Sequence, residues 1–251
     1  ADRRRLRHPG RLMAAPTTHP AAPATAVSAS HVWDQGAQGW NAHAGIIRAW
    51  LADATDAMLS AARIAPGQQV LDIAAGAGDQ TLDIAHRVGP TGRVLAADIS
   101  APFLALADAN ARVAGLRNVT TQLADAQALG LAGAGFDAAV CRLGLMFCPA
   151  PLAALNEARA ALRPGGRFSA LVFSQPQGNP CLGIVLSTAL RHAGLPARSP
   201  GTPGSLMSLG EPGLLARLLH SAGFADIDMR AISAPFRLPS IRGARAPSAR
   251  S

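Results

Sequence analysis

The sequence has no lysine, no tyrosine, few cysteines and no long apolar run. All 23 basic residues are arginine, which we interpret as a bias of genome composition because no single site could require it. The three cysteines, Cys141, Cys148 and Cys181, lack C-x-x-C spacing, so neither a disulfide framework nor a zinc site is indicated. No stretch approaches the roughly 18 consecutive apolar residues of a membrane span. With 49% hydrophobic residues, the chain is predicted to be a folded, soluble, cytoplasmic protein.

Acidic residues do not balance the arginines, and the net charge is +8. The excess is confined to the two ends, because residues 1–12 and residues 237–251 each carry +4. The body between them has 14 arginines and 14 acidic residues. A neutral body with basic ends favours a small-molecule enzyme over a module that binds specific nucleic acid, which would need a basic face. Weak attraction of phosphate groups by the ends stays open as the alternative.

Changes in composition divide the chain into a leader, one domain and a tail. Residues 1–30 are rich in arginine, alanine, proline and threonine, which predicts a disordered leader; a transit peptide is the alternative, although prolines oppose its amphipathic helix. One domain is expected over residues 31–238, beginning with a helical lid at 31–62. The proline- and glycine-rich stretch 174–213 predicts a cap insertion, and residues 239–251 a disordered tail.

Short apolar strands alternate with amphipathic helices through the domain. Such alternation is typical of a parallel sheet covered by helices on both faces, so the fold class predicted is a doubly wound, mostly parallel α/β domain. After a short element at residues 31–34, the predicted helices are 44–62, 80–88, 102–114, 152–162 and 214–222. The predicted strands are 70–74, 92–98, 118–123, 136–142, 167–173 and 227–232.

The turn after the first predicted strand has the composition of a ligand-binding turn. Gly76 and Gly78 would let the backbone approach a ligand closely, and Asp98 ends the second strand 20 residues beyond Gly78, where it could accept both hydroxyls of a ribose. These residues predict a nucleoside cofactor. The dinucleotide fingerprint G-x-G-x-x-G is not met, because Thr81 stands at the third glycine and Asp72 is foreign to that motif.

An acid four residues before G-x-G, as in Asp72 to Gly78, resembles the first motif of class I S-adenosylmethionine-dependent methyltransferases. Asp98, Asp125-Ala126, Phe136-Asp137 and the segment 162–166 stand where further motifs of that superfamily occur. Within it, residues 71–81 are similar to the ubiquinone/menaquinone-biosynthesis C-methyltransferases. The resemblance implies a Rossmann-like fold, S-adenosylmethionine as cofactor and transfer of a methyl group to a small molecule.

The resemblance also implies roles for individual residues. Asp98 would bind the ribose, Asp125 the adenine amino group, the backbone of Ala126 a ring nitrogen, and Thr81 and Arg142 the methionyl end. Arg142 departs from the small polar residue that is commoner there, so substrate recognition is its alternative role. The full set of predicted cofactor-binding residues is Asp72, Ala74, Gly76, Gly78, Thr81, Asp98, Ile99, Asp125, Ala126 and Arg142.

Two of these acids have alternative, local roles that involve no ligand. Asp125 could cap a helix that begins at Ala126, and Asp72 could be a satisfied polar group at a strand end. At the level of the whole chain, the alternatives are a nucleotide-dependent oxidoreductase of the same fold and a methyltransferase-like protein that binds without turnover.

Catalytic residues are harder to identify, because methyl transfer needs a general base only when the nucleophile starts protonated. His43 is the leading candidate base, since by resemblance its segment closes over the cofactor; His192 and His220 are weaker ones. Trp33 and Trp40 could stack on a planar substrate or pack the N-terminal helices against the core. The apolar segments 143–147 and 182–190 predict a hydrophobic pocket and hence a hydrophobic or aromatic methyl acceptor.

The resemblance implies a seventh, antiparallel strand between the fifth and the sixth. After Ile232 only residues 236–238 could pair, and Pro235 and Pro239 flank them. We therefore expect the seventh strand to be missing or vestigial. Because this would leave the edge of the fifth strand unpaired, the chain is expected to be a monomer or a homodimer.

Overall fold

The computed structural model describes residues 29–196, 199 and 201–236. The predicted tail and all of the predicted leader except its last two residues lie outside this part of the chain. At the centre of the described residues is a five-stranded sheet in the order β3-β2-β1-β4-β5, in which every pair of neighbours is parallel. The strands are β1 Gln69–Ile73, β2 Arg93–Asp98, β3 Val119–Leu123, β4 Phe136–Arg142 and β5 Leu162–Leu171.

Seven α-helices accompany the sheet in the described residues. They are α1 Ala29–Ala42, α2 Ala44–Ala61, α3 Asp79–Val88, α4 Ala101–Val113, α5 Pro151–Ala161, α6 Pro180–His192 and α7 Leu214–Ser221, with short 3-10 turns at Leu145–Phe147 and Pro176–Gly178. No helix in the described ranges is both long and apolar enough to cross a bilayer.

The alternation of side chains along β1 divides the core into two layers. Val70 packs in one cluster with residues of α2 and α3, whereas Leu71 and Ile73 pack in another with residues of α5 and α7. Asp72 shares the face of Val70, because side chains two positions apart in a strand point to the same side. The α/β fold class is therefore confirmed, and β1 brings Asp72 next to the start of α3.

Most predicted elements agree with the structure within two residues, but three differ. The short element at 31–34 is the 14-residue helix α1, which begins inside the predicted leader. Strand β5 begins at Leu162 and not at Arg167, since Leu162 already pairs with Phe136 before a bulge in the ladder.

The predicted sixth strand at residues 227–232 is wrong, because these residues form no strand. A strand needs a ladder partner, and among the described residues no seventh strand lies between β5 and this segment; of the segment 236–238 only Phe236 is described. The chain just after residues 227–232 contacts α2 instead. The indole N–H of Trp50 donates to the carbonyl of Ala234 at 2.6 Å, and the ring of Phe236 packs edge-on against Trp50.

Candidate functional site

A cavity of about 410 Å³ lies at the carboxyl ends of the strands, where ligands bind in open α/β sheets. It extends from the segment after β3 to the segment after β5, and residues of α1 and α2 close one side. Seven of the ten predicted cofactor-binding residues line it: Ala74, Gly76, Asp98, Ile99, Asp125, Ala126 and Arg142. Asp72, Gly78 and Thr81 do not line it.

The turn between β1 and α3 has an unusual backbone. Ala74 has φ of +54° and Gly76 of +57°, and Leu143, which follows β4 on the neighbouring strand, has φ of +56°. Left-handed conformations are strained for residues with a side chain, and such strain concentrates at functional sites. Two of the four non-glycine residues with positive φ in the described part of the chain, Ala74 and Leu143, line the cavity.

Gly78 has a packing role. A Cβ atom at this position would lie 3.1 Å from the Cβ of Ala107 on α4, and its φ is +89°. Glycine therefore permits α4 to pack closely against the turn. The prediction that Gly78 contacts the cofactor is not supported by its position, because Gly78 does not line the cavity.

Asp98 is buried at the end of β2, and its carboxylate joins two turns. Its Oδ2 accepts a hydrogen bond from the backbone N–H of Gly76 at 2.9 Å, and its Oδ1 accepts one from the N–H of Ser100 at 2.9 Å. Burial raises the pKa of Asp98 above its ordinary value, although the N–H groups of Gly76, Ser100 and Ile99 oppose the rise. Since each carboxylate oxygen has a second lone pair, Asp98 can still accept from two hydroxyl groups in the cavity.

Asp72 lies behind the cavity wall, fully buried beneath the first turn of α3. The hydroxyl of Thr81 donates to its Oδ2 at 2.6 Å, and the amide of Gln80 donates to its Oδ1 at 3.0 Å. Desolvation raises the pKa of Asp72 to about 6, although both hydrogen bonds and the charge of Arg142 oppose the rise. Gln80, which the sequence analysis missed, lines the cavity in front of this carboxyl group.

Asp125 and Ala126 line the cavity in the segment after β3. The alternative in which Asp125 caps a helix is wrong, because residues 125–128 form a turn closed by a bridge between Asp125 and Ala128. Within this turn Asp125 accepts from the backbone N–H of Gln127 at 2.8 Å. The turn presents both predicted adenine-binding residues to the same end of the cavity as Asp98.

Arg142 is the buried last residue of β4. Its guanidinium donates to Thr55 Oγ1 on α2 at 3.1 Å and to Asp79 Oδ2 at the start of α3 at 3.3 Å. Burial lowers the pKa of Arg142, and the charges of Asp79 and Asp72 oppose this effect. The chain thus stabilises a cation in the cavity wall with one hydrogen-bonded carboxylate, that of Asp79, and with the charge of the buried Asp72.

Aromatic side chains are concentrated around the cavity. The sequence has three Trp, seven Phe and no Tyr, and six of these ten residues line the cavity: Trp33, Trp40, Trp50, Phe103, Phe147 and Phe173. Trp33 packs edge-on against Phe147 with ring centroids 4.8 Å apart. The cavity is therefore suited to a planar, apolar molecule.

The predicted histidines do not reach this cavity. His43 is exposed between α1 and α2, where its Nδ1–H donates to the carbonyl of Gly39 at 2.8 Å. His192, at the end of α6, and His220, on α7, also lie outside the lining. The segment 182–190 contributes only Leu182, and the large side chains of Ile184 and Val185 are exposed.

Comparison with known families gives a match to residues 70–166, which span β1 to the first half of β5 and hold all ten predicted cofactor-binding residues. The matching family is described as a methyltransferase domain. Residues 70–166 thus resemble a methyltransferase domain. The resemblance inferred from the motifs is therefore confirmed over this part of the chain.

Curated relatives of this chain include ubiquinone/menaquinone biosynthesis C-methyltransferases. That of Ectopseudomonas mendocina is 40% identical over 126 residues, which is 50% of this chain and 49% of the relative. That of Shewanella sp. strain W3-18-1 is 37% identical over 134 residues, which is 53% of this chain and 52% of the relative. The chain thus spans about half the length of the curated relatives it matches.

Solved structures share the fold at lower identity. The [4+2]-cyclase SpnF is 20% identical with a TM-score of 0.54, over 78% of this chain and 74% of that one. The YcgJ protein of Bacillus subtilis is 22% identical with a TM-score of 0.51, over 68% of each chain. These likenesses confirm the Rossmann-like fold around the methyltransferase domain.

The buried carboxyl group of Asp72 predicts a pH dependence of stability. Its pKa is about 6 in the folded chain against an ordinary 3.8, so its contribution to stability is fully present below about pH 4 and is lost as the pH rises through 6. We expect Asp72→Asn to remove this loss. Relative to the variant, the wild type should lose up to about 3 kcal/mol of unfolding free energy between pH 4 and pH 7.

Urea unfolding of both proteins at pH 4, 5, 6 and 7 measures this difference. Asp79 and Asp98, whose pKa values burial also raises, are present in both proteins and cancel in the comparison. If the unfolding free energies of the two proteins changed equally with pH across this range, the assignment of a raised pKa to Asp72 would be contradicted.

Proposed function

We propose that this chain is an S-adenosylmethionine-dependent methyltransferase that acts on a small, planar and largely apolar molecule. The observation that carries the proposal is the hydrogen bond from Gly76 to Asp98 in the cavity wall. It joins the glycine turn after β1 to the acid at the end of β2, inside the matched methyltransferase domain. Binding of a nucleoside requires a backbone that the ligand can approach closely, next to a carboxylate that accepts hydrogen bonds from the ribose hydroxyls.

The residues around the cavity fit the parts of this cofactor in the order of the strands. Asp98 would accept hydrogen bonds from the ribose hydroxyls, and Ala74 and Gly76 would leave room for the ligand along the turn. Asp125, Ala126 and Ile99 would bind the adenine on the side of β3. These assignments are supported by the fact that all six residues line one cavity.

The methionyl end would lie near Gln80, which lines the cavity over the buried Asp72. A cationic amino group there would be attracted by the charge of Asp72 across the amide of Gln80, since electrostatic interactions are strong where water is excluded. Asp72 and Thr81 would therefore act without touching the cofactor. Thr81 holds the carboxyl group of Asp72 by a hydrogen bond, and Gln80 is the polar residue that lines the cavity there.

When bound, S-adenosylmethionine supplies a methyl group on a positively charged sulfonium, which a nucleophile can displace. The contribution of the chain is alignment in a dry cavity, which is worth as much as about 7 to 11 kcal/mol when reacting atoms are held near contact. Trp33, Trp40 and Phe147 exclude water on the side of α1. Because no histidine lines the cavity in the described residues, the proposal does not include His43 as a general base.

Isothermal titration calorimetry separates this proposal from the alternatives. We expect S-adenosylmethionine and S-adenosylhomocysteine to bind and NAD to show no binding, because Thr81 stands where the dinucleotide fingerprint needs a glycine. Binding of NAD in preference to S-adenosylhomocysteine would overturn the proposal in favour of an oxidoreductase. If S-adenosylmethionine and S-adenosylhomocysteine both bind and no aromatic acceptor in a substrate screen is methylated, the chain is a binding protein.

The proposal also includes roles for two segments that flank the cavity, and a location and an oligomeric state for the chain. The segment 31–62 acts as a helical lid and the segment 174–213 as a cap; α1, α2 and α6 supply the side chains Trp33, Trp50 and Leu182 of the cavity. A cytoplasmic location and a monomeric or homodimeric state stay predictions, as does the absence of specific nucleic-acid binding.

A further inference from the structure

The strand order gives the cavity two distinct ends. Asp98 ends β2 and Asp125 follows β3, so the nucleoside-binding residues lie on one side of β1. Arg142 ends β4 and Phe173 follows β5, on the other side. Neighbouring strands are about 4.8 Å apart, so the β3 and β5 ends of the cavity are separated by roughly 19 Å. The end at β4 and β5 is therefore left for the second substrate.

We call this region the acceptor end and define it by Trp50, Arg142, Phe173 and Leu182. The rings of Trp50 and Phe173 are nearly parallel, with centroids 6.1 Å apart and 21° between the planes. Arg142 pairs with Leu171 of β5 and donates to Thr55, which lies on α2 little more than one turn after Trp50. Arg142 and both aromatic rings line the same cavity.

Arg142 is the only cationic side chain that lines the cavity among the residues the structure describes. Its hydrogen bonds to Thr55 and Asp79 use two of the five N–H donors of a guanidinium. The bond to Asp79 is single and long at 3.3 Å, which falls short of the forked pairing that arginine makes with a carboxylate. Three of the five donors are therefore not used by these two bonds.

A buried guanidinium needs charged partners, because taking a cation out of water is costly unless it is paired. The other acids of the lining, Asp98 and Asp125, lie at the nucleoside end. An oxygen anion brought by the ligand would complete the pairing of Arg142, and the aromatic rings beside it would contact the flat apolar remainder of the same molecule.

We infer that Arg142 binds an anionic oxygen of the methyl acceptor, and that the acceptor is a planar, largely apolar acid such as an aromatic carboxylate. This inference rests on the proposed function. It makes Arg142 a residue that determines substrate specificity. Of the two roles that the sequence left open for Arg142, it favours substrate recognition over binding of the methionyl end.

The test uses 2-naphthoate and its neutral counterpart 2-naphthamide as probes, titrated calorimetrically into the full chain with and without S-adenosylhomocysteine. We expect the wild type to bind 2-naphthoate at least tenfold more tightly than 2-naphthamide. In Arg142→Gln this preference should fall below twofold, while the affinity for S-adenosylhomocysteine should change less than threefold. Arg142→Lys should restore part of the preference, since it keeps the charge without the fork.

Two further variants control the experiment. Arg48→Gln removes another arginine beside Asp79, whose carbonyl Arg48 contacts at 3.5 Å, but Arg48 does not line the cavity, so the preference should persist. Asp79→Asn combined with Arg142→Gln removes both charges of the pair, so that folding does not suffer from an unpaired buried carboxylate. This double variant should lose the preference as Arg142→Gln does.

The outcomes separate the inference from the proposed function. Equal binding of the two probes by the wild type, including no binding of either, overturns the inference. A large loss of affinity for S-adenosylhomocysteine in Arg142→Gln and in the double variant also overturns it, because Arg142 would then bind the cofactor. If the wild type does not bind S-adenosylhomocysteine, the proposed function fails, and the probe preference of the ligand-free chain still decides the role of Arg142.

Discussion

Asp98→Ala is expected to weaken binding of S-adenosylhomocysteine at least about 100-fold. The substitution removes two hydrogen bonds from ribose hydroxyls to a charged acceptor, each worth about 1.5 to 3 kcal/mol, and tenfold in affinity corresponds to about 1.4 kcal/mol. It also removes the acceptor that fixes the N–H of Gly76, so the turn that approaches the ligand is less well held. Isothermal titration calorimetry measures the affinity directly.

Asp108→Ala is the matched control for this variant. Asp108 lies on α4, pairs with Arg112 on the surface and does not line the cavity, so its removal changes the net charge equally. We expect its affinity for S-adenosylhomocysteine to stay within twofold of the wild type. An unchanged affinity in Asp98→Ala, with a normal circular dichroism spectrum, would contradict the assignment of the ribose to Asp98.

Gly76→Val is expected to abolish binding while the domain stays folded. A Cβ atom at this position would lie 3.8 Å from the ring of Phe103, an ordinary contact, so the protein itself leaves room for it. Because Gly76 and Phe103 both line the cavity, the added side chain would occupy space that the ligand needs. We expect at least about a 100-fold loss of affinity, measured by the same calorimetry.

The strain of valine at a positive φ needs its own control. Gly115 has φ of +71° and lies after α4, away from the cavity lining, and a Cβ atom added there would have no neighbour within 4 Å. Gly115→Val should therefore show a similar loss of thermal stability without a loss of binding. If Gly76→Val keeps the affinity of the wild type, the turn after β1 is not the cofactor site.

Features that depend on a few neighbouring residues could be predicted from the sequence. Gly76 was predictable because the turn after β1 needs a backbone conformation that glycine adopts without strain. Asp98 was predictable because it ends a short apolar run with the pattern of a buried strand. Strands that alternate with helices imply parallel pairing, so the cavity at their carboxyl ends follows as well. The fold class and seven of the ten candidate residues in the cavity wall were accessible in this way.

Features that depend on distant parts of the chain were not accessible. Trp50 and Phe173 belong to α2 and to the segment after β5, and only packing brings their rings together. Gln80 could not be singled out between Asp79 and Thr81, since the sequence does not show which face of α3 turns to the cavity. The rarity of aromatic residues was the one available signal: six of the ten line the cavity.

Two predictions placed residues where the structure does not have them, and the physical reason is shared. Residues 227–232 have the alternation of a strand, but the seventh strand that would pair with them is not among the strands of the described sheet, and they form no ladder with β5. His43 has suitable chemistry for a base, but its position at the junction of α1 and α2 leaves it exposed. In both cases the local pattern was compatible with the prediction and the tertiary context was not.

The central claim, that Asp98 binds the ribose of S-adenosylmethionine in a methyltransferase site, is tested most directly by a cycle of two ligands and two proteins. Calorimetry would compare S-adenosylhomocysteine with its 2′,3′-dideoxy analogue in the wild type and in Asp98→Ala. The account predicts that the wild type prefers S-adenosylhomocysteine at least about 100-fold and that Asp98→Ala binds the two ligands with nearly equal affinity. Equal affinities of the wild type for both ligands, or the same preference in both proteins, would contradict it.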